Sequence, residues 1–200
     1  AVIDTFETPE SQQLYARAQD VIPGGIFGHI GYAVREKGPK FFARAQGAHF
    51  WDVDGNEYID MMCSYGAMIL GYNHPVVDEA ARAQYDAGNT VSLAAPVMVE
   101  LAETLVDMVS GGDWALFGKN GGDATNLAVM VARAATGRDK IVKIREGYHG
   151  VTAWMQDGGA GTIASDREHV LTVAWNDADE FQTLIEAHPG EIACLMSSPY

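Results

Sequence analysis

A short polar turn in the middle of the chain has the residue types of a phosphate-binding site. Residues 120–123, with the sequence NGGD, follow the apolar run 114–117 and precede residues 124–135, which contain almost no helix breakers. Two consecutive glycines leave the backbone N–H groups open to an anion because they have no Cβ atom. The free N–H groups and the dipole of the following helix would then face the same ligand. The pattern predicts a phosphate site, although an ordinary turn between a strand and a helix can have the same spacing.

A second candidate follows the next predicted strand, Lys140–Ile144. The strand leads into the sequence GYHG at residues 147–150. An aromatic ring and an imidazole between two glycines, just past the carboxyl end of a strand, lie where open α/β sheets bind ligands. Tyr148 would then line a site, or it would pack half-buried as a structural aromatic. His149 is either a residue of the same site or a hydrogen-bonded structural histidine.

The first third of the chain offers a weaker candidate. Ser64 and Tyr65 stand beside Gly66, a combination that is typical of an exposed turn and could line a pocket. His74 precedes a proline, and we expect it to be a cap or turn residue rather than a catalyst. These residues indicate a surface that a ligand could contact, but they do not indicate a chemical reaction.

The acidic residues near the first predicted hairpin do not predict a metal site. Asp52 and Asp54 resemble the start of a calcium loop, but the later acidic ligands of such a loop are absent. The Asp54-Gly55 pair instead predicts a tight turn between two strands. We expect no metal ion in this chain.

The elements that position these residues fall into two parts. In residues 1–75, a helix that begins with Thr8 as its N-cap and Pro9 in its first turn precedes an antiparallel meander. In residues 76–200, helices alternate with strands, which predicts a mainly parallel sheet flanked by helices, the first part of a larger α/β domain. The meander strands are predicted at 41–45, 48–53 and 57–61, the later helices at 76–87, 96–109, 124–135 and 177–187, and the later strands at 114–117, 140–144, 170–174 and 192–196.

Two features of the second part concern its packing. The helix at 96–109 places Leu101, Leu105, Met108 and Val109 near one face, which predicts a face that packs in the core. The strand at 192–196 is not followed by a helix that would cover it. We therefore expect the chain to be part of a longer protein.

Composition and charge exclude several classes of partner. The chain has 200 residues, a net charge of −14 and a pI of about 4.6, so it lacks the basic surface that nucleic acid or an anionic membrane would require. No apolar run approaches the roughly 18 residues of a transmembrane helix. Two cysteines far apart, Cys63 and Cys194, are not a disulfide framework and fit a reducing compartment. These features predict a cytoplasmic protein that binds neither nucleic acid nor a membrane.

Seven motifs, taken together, resemble the class III aminotransferases, which are pyridoxal-phosphate enzymes of fold type I. The branch with the most similar motifs is that of glutamate-1-semialdehyde aminomutase. No single motif is decisive, but the set covers nearly the whole chain in the family's order. The motifs lie at residues 22–25, 51–56, 64–66, 69–75, 120–122, 136–141 and 147–150.

The resemblance implies a cofactor, pyridoxal 5'-phosphate, and a role for each matched residue. The family's phosphate loop and the acid after it fall on residues 120–123, its ring-stacking aromatic falls on Tyr148, and His149 would support that loop. The family's Ser-Trp-Gly near the substrate falls on residues 64–66. The implied cofactor-binding residues are Asn120, Gly121, Gly122, Asp123, Tyr148 and His149, and the implied substrate-binding residues are Ser64 and Tyr65.

Departures from the family pattern are equally specific. Gly31 replaces the arginine with which the aminomutase binds its substrate carboxylate, and Ser198-Pro199 replaces the Glu-Pro of many relatives. Without the bidentate arginine, a substrate other than glutamate semialdehyde is expected. The family's Schiff-base lysine and the acid at the pyridine nitrogen would lie beyond residue 200. Lys119, next to the phosphate turn, matches an asparagine of the family, so we assign no catalytic residue within the chain.

Three hypotheses remain open from the sequence. The first is pyridoxal-phosphate-dependent amino transfer, as an aminotransferase or aminomutase, between an amino donor and a carbonyl acceptor. The second is a racemase or epimerase with the same cofactor. The third is a non-catalytic binding module, which would apply if the protein ended at Tyr200. The resemblance also implies a homodimer, because fold type I enzymes build their sites between two subunits.

Overall fold

A computed structural model describes residues 7–26 and 39–198. Contacts within the chain form two compact units, Ala1–Ala94 and Ala95–Tyr200. The sequence predicts that the α/β domain begins at residue 76. That boundary is a different quantity from the division between the two compact units, and it stays a prediction. Gly31, Pro199 and Tyr200, which the sequence analysis singled out, lie outside the described residues.

The first unit contains the predicted helices and meander. Helices α1 (Pro9–Gln19) and α2 (Pro75–Ala87) both have a proline in the first turn, where its missing N–H is not needed. Strands β1 (Phe42–Gln46), β2 (His49–Asp52) and β3 (Glu57–Ile59) pair antiparallel in the order β1-β2-β3. The predicted meander is therefore confirmed.

A buried carboxylate closes the turn between β2 and β3. Asp52 is 1% exposed and accepts hydrogen bonds from the backbone N–H groups of Asp54 (3.0 Å) and Asn56 (2.8 Å). Its second oxygen accepts bonds from the Asn56 amide and the Tyr58 hydroxyl, both at 2.9 Å. The sequence that resembles the start of a calcium loop therefore forms a turn in which the Asp52 carboxylate accepts hydrogen bonds from the turn itself.

The cap of α1 differs from the prediction. Thr8 occupies the N-cap position, but its side chain makes no capping bond to the helix backbone. Asp54 supplies the cap instead, because its two carboxylate oxygens accept from the N–H groups of Glu10 (2.7 Å) and Ser11 (3.0 Å). A turn more than forty residues away therefore holds the helix against the meander, which spacing along the sequence cannot indicate.

We expect Asp54→Ala to destabilise the docking of α1 by about 1 kcal/mol, the usual contribution of an N-cap. Hydrogen exchange of the α1 amides should become faster, while exchange in the helix Ala178–Ala187 of the second unit should not change. Thr8→Ala is the matched control, and its effect should be much smaller. Equal effects of the two substitutions would contradict the assignment of the cap to Asp54.

The second unit is a parallel sheet with helices. Its strands are β4 (Lys140–Ile144), β5 (Val170–Val173) and β6 (Ile192–Met196). They pair in the order β5-β4-β6, so β4 is the central strand, and its residues Ile141 and Val142 are completely buried. Parallel strands need crossover connections, which α5 and the segment after β4 provide. Its α-helices are α3 (Pro96–Met108), α4 (Gly121–Thr136) and α5 (Ala178–Ala187).

Two packing predictions in this unit are wrong. Residues 114–117 are not a strand, and Trp114 is 64% exposed. A strand exists only where its backbone pairs with another, and none of the described strands pairs with this run. The apolar face of α3, with Leu101, Leu105 and Met108, is also exposed. The prediction failed because a periodic pattern identifies the apolar face of a helix but not the element that packs against it.

Candidate functional site

The predicted phosphate turn is the first turn of α4. Asn120 is the N-cap, and its Oδ1 accepts from the N–H of Asp123 at 3.0 Å. Asp123 in turn accepts from the N–H of Lys119 (3.0 Å) and from the Asn120 amide (3.2 Å). The prediction of a loop at residues 120–123 before the helix is therefore wrong, because Gly121 and Gly122 lie within the first turn of α4. The first N–H groups of a helix have no acceptor within the helix, so those of Gly121 and Gly122 are suited to an anion, whereas that of Asp123 donates to the cap.

The loop after β4 passes directly against this turn. Gly150 has a φ of +133°, and a Cβ there would lie 3.3 Å from the Cα of Gly122 and 2.4 Å from Met155 Sδ. Only a glycine allows this backbone conformation and this approach. The hydroxyl of Thr125 lies 3.0 Å from the carbonyl oxygens of both Gly122 and His149. The structure therefore brings the two predicted parts of the cofactor site together.

Tyr148 and His149 have opposite environments. Tyr148 is 56% exposed, whereas His149 is 6% exposed. Burial, and then the positive charge of Lys143, lower the pKa of His149, which keeps its imidazole neutral at pH 7. Within residues 7–26 and 39–198, its Nε2 has no hydrogen-bond partner.

His149 also lines a small cavity at the carboxyl ends of the strands. The cavity has a volume of about 180 Å³. Its other walls include Ile144 at the end of β4, Trp175 just after β5 and Ser198 just after β6. This is the edge of the sheet at which open α/β folds bind ligands.

The predicted substrate residues lie in the first unit, in a strained turn. Cys63, Ser64 and Tyr65 all have left-handed φ values, of 50°, 48° and 57°, which non-glycine residues rarely adopt. Asp60 secures the turn because its Oδ1 accepts from the N–H groups of Met62 (2.7 Å) and Cys63 (3.1 Å). Tyr65 is 76% exposed, as the sequence predicts for an exposed turn.

A tyrosine completes the support of this turn. The Tyr72 hydroxyl donates to Asp60 Oδ2 at 2.6 Å and lies 3.5 Å from Ser64 Oγ. The hydrogen bond from Tyr72 holds the pKa of Asp60 below its usual value, despite partial burial, and the same bond raises the pKa of Tyr72. Ser64 and Tyr65, with Asp60 and Tyr72, border a cavity of about 440 Å³ that also has phenylalanine walls.

Residues 32–163 match the family model described as aminotransferase class III. The chain belongs to the class III aminotransferase family. The resemblance inferred from the ordered motifs is therefore confirmed. The fold is that of the fold type I transferases, with the parallel sheet and the antiparallel sheet that the sequence predicts.

Individual class III relatives are similar over nearly the whole chain. The aminopentol aminotransferase of Sphingopyxis macrogoltabida is 44% identical over 190 residues, which cover 94% of this chain and 45% of the relative. The structure of the FumI protein of Sphingopyxis sp. MTA144, in its PLP internal aldimine form, matches with a TM-score of 0.86 at 44% identity and covers 92% of this chain and 45% of that one. An omega-transaminase from Sphaerobacter thermophilus matches with a TM-score of 0.85 at 29% identity, and the match covers 94% of this chain and 47% of that one. The chain spans less than half the length of these relatives.

Sequence reasoning missed several residues that build this part of the class III fold. Asp60 and Tyr72 support the Ser64 turn, and Thr125 joins α4 to the loop after β4. The sequence analysis assigned no part to Lys143, yet this lysine is 1% exposed and paired with Asp157. The signal in the sequence is that Lys143 stands between the apolar residues Val142 and Ile144, in the interior of the strand KIVKI.

Proposed function

We propose that the protein transfers an amino group between a small amino compound and a carbonyl compound with pyridoxal 5'-phosphate as its cofactor. We propose further that this chain supplies the phosphate and ring contacts of the cofactor site. The observation that carries the proposal is the close approach of Gly150 to Gly122, which sets an exposed aromatic ring beside a helix N-terminus suited to phosphate. Membership of the class III family supports the choice of cofactor.

Each residue of the site has a distinct part in this proposal. The N–H groups of Gly121 and Gly122, with the α4 dipole, bind the phosphate, and Asn120 with Asp123 keeps the turn in shape. The exposed ring of Tyr148 stacks on the pyridine ring of the cofactor. When bound, the cofactor serves as the electron sink for bond breaking at the substrate carbon.

His149 has a supporting part in the loop after β4. It is buried, and its lowered pKa keeps it uncharged at pH 7, so it adds no positive charge near the cofactor. Its backbone carbonyl oxygen lies within hydrogen-bonding distance of the Thr125 hydroxyl, which holds the loop against α4. We therefore propose that His149 positions the loop and does not itself transfer protons.

We propose a substrate class from the turn at Ser64 and Tyr65. The cavity beside this turn has several aromatic walls and one carboxylate, Asp60, a lining that suits an amine with an extended apolar part. Ser198 stands where many relatives have glutamate, so a substrate that needs that carboxylate is disfavoured. A relative at 44% identity is named for aminopentol, which makes amines other than glutamate semialdehyde the first to test.

The test is a transamination assay with the full-length protein. A panel of long-chain and aromatic amines, offered with pyruvate or 2-oxoglutarate, should give a keto or aldehyde product that requires added pyridoxal phosphate. Absence of cofactor binding at millimolar pyridoxal phosphate would contradict the proposal. Exchange of the substrate α-hydrogen without a carbonyl product would instead favour a racemase or epimerase.

We also propose that the protein is a cytoplasmic homodimer. The described part of the chain has no helix that is long and apolar enough to cross a membrane. The exposed apolar residues of α3, such as Leu101 and Met108, provide surface that an assembled protein would bury. Light scattering after size-exclusion chromatography tests the dimer, and cell fractionation tests the location.

We expect Tyr148→Ala to weaken cofactor binding by about tenfold, the magnitude of an aromatic stacking contact. Tyr148→Phe keeps the ring and should bind nearly as tightly as the unsubstituted protein. The affinity is measured by titrating the apoprotein with pyridoxal phosphate and following its absorbance. Similar affinities for the alanine and phenylalanine variants would show that the ring makes no stacking contact.

A further inference from the structure

Lys143 is a buried cation at the centre of the sheet. It lies on β4 between two pairing strands and is 1% exposed. Removing an ammonium group from water is costly unless it is paired and hydrogen-bonded. Its Nζ donates to the carbonyl oxygen of Met155 at 2.7 Å and lies 2.5 Å from Asp157 Oδ1. Both of these contacts of the cation are with one short segment of the chain, residues 155–157.

Asp157 connects this cation to the start of the loop after β4. Its second oxygen, Oδ2, accepts from the N–H of Glu146 at 2.9 Å. Glu146 has a left-handed φ of 61°, so this bond holds a backbone conformation that is otherwise unfavourable. Partial burial alone would raise the pKa of Asp157, but the hydrogen bonds from Lys143 and from the Glu146 N–H, together with the charge of Lys143, outweigh burial and lower this pKa. The carboxylate is therefore ionised at neutral pH.

The segment that Lys143 holds also contacts the loop and α4. Gln156 Nε2 donates to the carbonyl oxygen of Gly150 at 2.9 Å. Trp154 Nε1 donates to Asn126 Oδ1 on α4 at 2.8 Å. Residues 154–157 thus hold the loop at its end and its start, and Lys143 fixes them to the sheet.

From these contacts we infer that Lys143 and Asp157 are positioning residues, which hold the loop of Tyr148 and His149 in the conformation that faces the N-terminus of α4. The inference rests on the proposed function for its cofactor, but the positioning itself concerns this chain alone. An ion pair suits the task because its geometry is specific, whereas an apolar pair of similar volume would often be as stable. The same engagement makes Lys143 unavailable as a Schiff-base lysine.

The experiment compares Lys143→Met and Asp157→Asn with a matched control, Lys140→Met. Lys140 lies on the same strand and also pairs with an acid, Glu191. It is the first residue of β4, at the opposite end of the strand from the loop. In the full chain without cofactor, hydrogen exchange at the Glu146 amide and at residues 148–150 should become about tenfold faster in the two test variants, as expected from loss of one hydrogen bond. Exchange at Ile141 and Val173 should not change.

A second measurement relates the positioning to the cofactor. Both test variants should bind pyridoxal phosphate about tenfold more weakly than Lys140→Met, because the loop must be ordered before it binds. Asp157→Glu, which keeps the charge, should restore part of the affinity. If the unsubstituted protein binds no pyridoxal phosphate, the proposed function fails, and the hydrogen-exchange measurement still decides the positioning.

Two results would overturn the inference. One is unchanged exchange at residues 146–150, and the other is faster exchange spread equally through β4, β5 and β6, which would indicate a merely structural role. If Asp157→Asn does not fold, Lys143→Met gives the same test, because the exposed Asp157 can then be solvated. A double variant, Lys143→Met with Asp157→Leu, replaces the pair by apolar groups and should fold with a loop that exchanges as fast as in Lys143→Met.

Discussion

Gly150→Ala should reduce the affinity for pyridoxal phosphate by about thirtyfold, which corresponds to about 2 kcal/mol. The backbone at Gly150 has a φ of +133°, and holding a residue with a side chain there costs of order 1–3 kcal/mol. A Cβ would also meet Met155 Sδ at 2.4 Å and the Cα of Gly122 at 3.3 Å. Met155 can rotate away, but the helix backbone cannot, so the loop must move from α4.

Gly159 provides the matched control for this prediction. It has a similar φ of +125°, and a Cβ there would have no atom within 4 Å. Gly159→Ala should therefore carry a comparable backbone cost without moving the loop, and its cofactor affinity should equal that of the unsubstituted protein. The affinities are compared by absorbance titration. If the two alanine variants bind pyridoxal phosphate equally well, the contact between Gly150 and Gly122 has no part in binding.

Asp52→Ala should destabilise the meander by about 3 kcal/mol, because several donors would lose a charged acceptor. The N–H groups of Asp54 and Asn56 and the Tyr58 hydroxyl all donate to this carboxylate. Hydrogen exchange of the β1, β2 and β3 amides measures the effect within the first unit. Asp78→Ala is the control, since Asp78 pairs with Arg82 on the surface of α2 and its loss should matter little. Equal effects of Asp52→Ala and Asp78→Ala on this exchange would contradict the role of the Asp52 carboxylate in stabilising the meander.

The same cluster predicts a two-sided pH dependence. Burial would raise the pKa of Asp52, but the bonds from Asn56, Tyr58 and Asp54 outweigh it and hold the pKa below the usual 3.8. The stability from Asp52 is thus complete above pH 3.8 and is lost as the pH falls through its lower folded value. Burial and the bond to Asp52 raise the pKa of Tyr58 to about 12, so its contribution is lost as the pH rises from 10 through about 12.

Exchange of the meander amides, measured across this pH range and corrected for the intrinsic dependence on pH, tests the two limits. Asp52→Asn should remove the acidic limit because the amide does not titrate there. Tyr58→Phe should remove the alkaline one. An acidic limit that persists in Asp52→Asn would assign it to another carboxylate.

The sequence was most informative where structure is decided locally. Pro9 lies in the first turn of α1, as predicted, because the start of a helix depends on a few neighbouring residues. The alternation of strands and helices likewise predicted the parallel sheet. The class III family followed from short motifs in the right order, each of which alone was ambiguous.

The sequence was least informative where structure depends on distant partners. The run 114–117 is as apolar as a buried strand, but its pairing cannot be inferred from its own residues. Asp54 caps α1, and Lys143 pairs with Asp157, through contacts between segments that the fold alone brings together. The residues proposed to bind the cofactor could be predicted from motifs, whereas most of the residues that support them could not.

The place of β4 in the sheet has a consequence for synthesis on the ribosome. Ile141 of β4 pairs with Val170 on one side and with Cys194 on the other, so the central strand is made before either neighbour. β4 has no neighbouring strand on either side until those later residues have emerged. Lys143, whose contacts hold the segment against the loop after β4, lies on this strand. A nascent chain arrested before β6 has emerged should therefore leave this loop sensitive to protease, and release of the remaining residues should protect it.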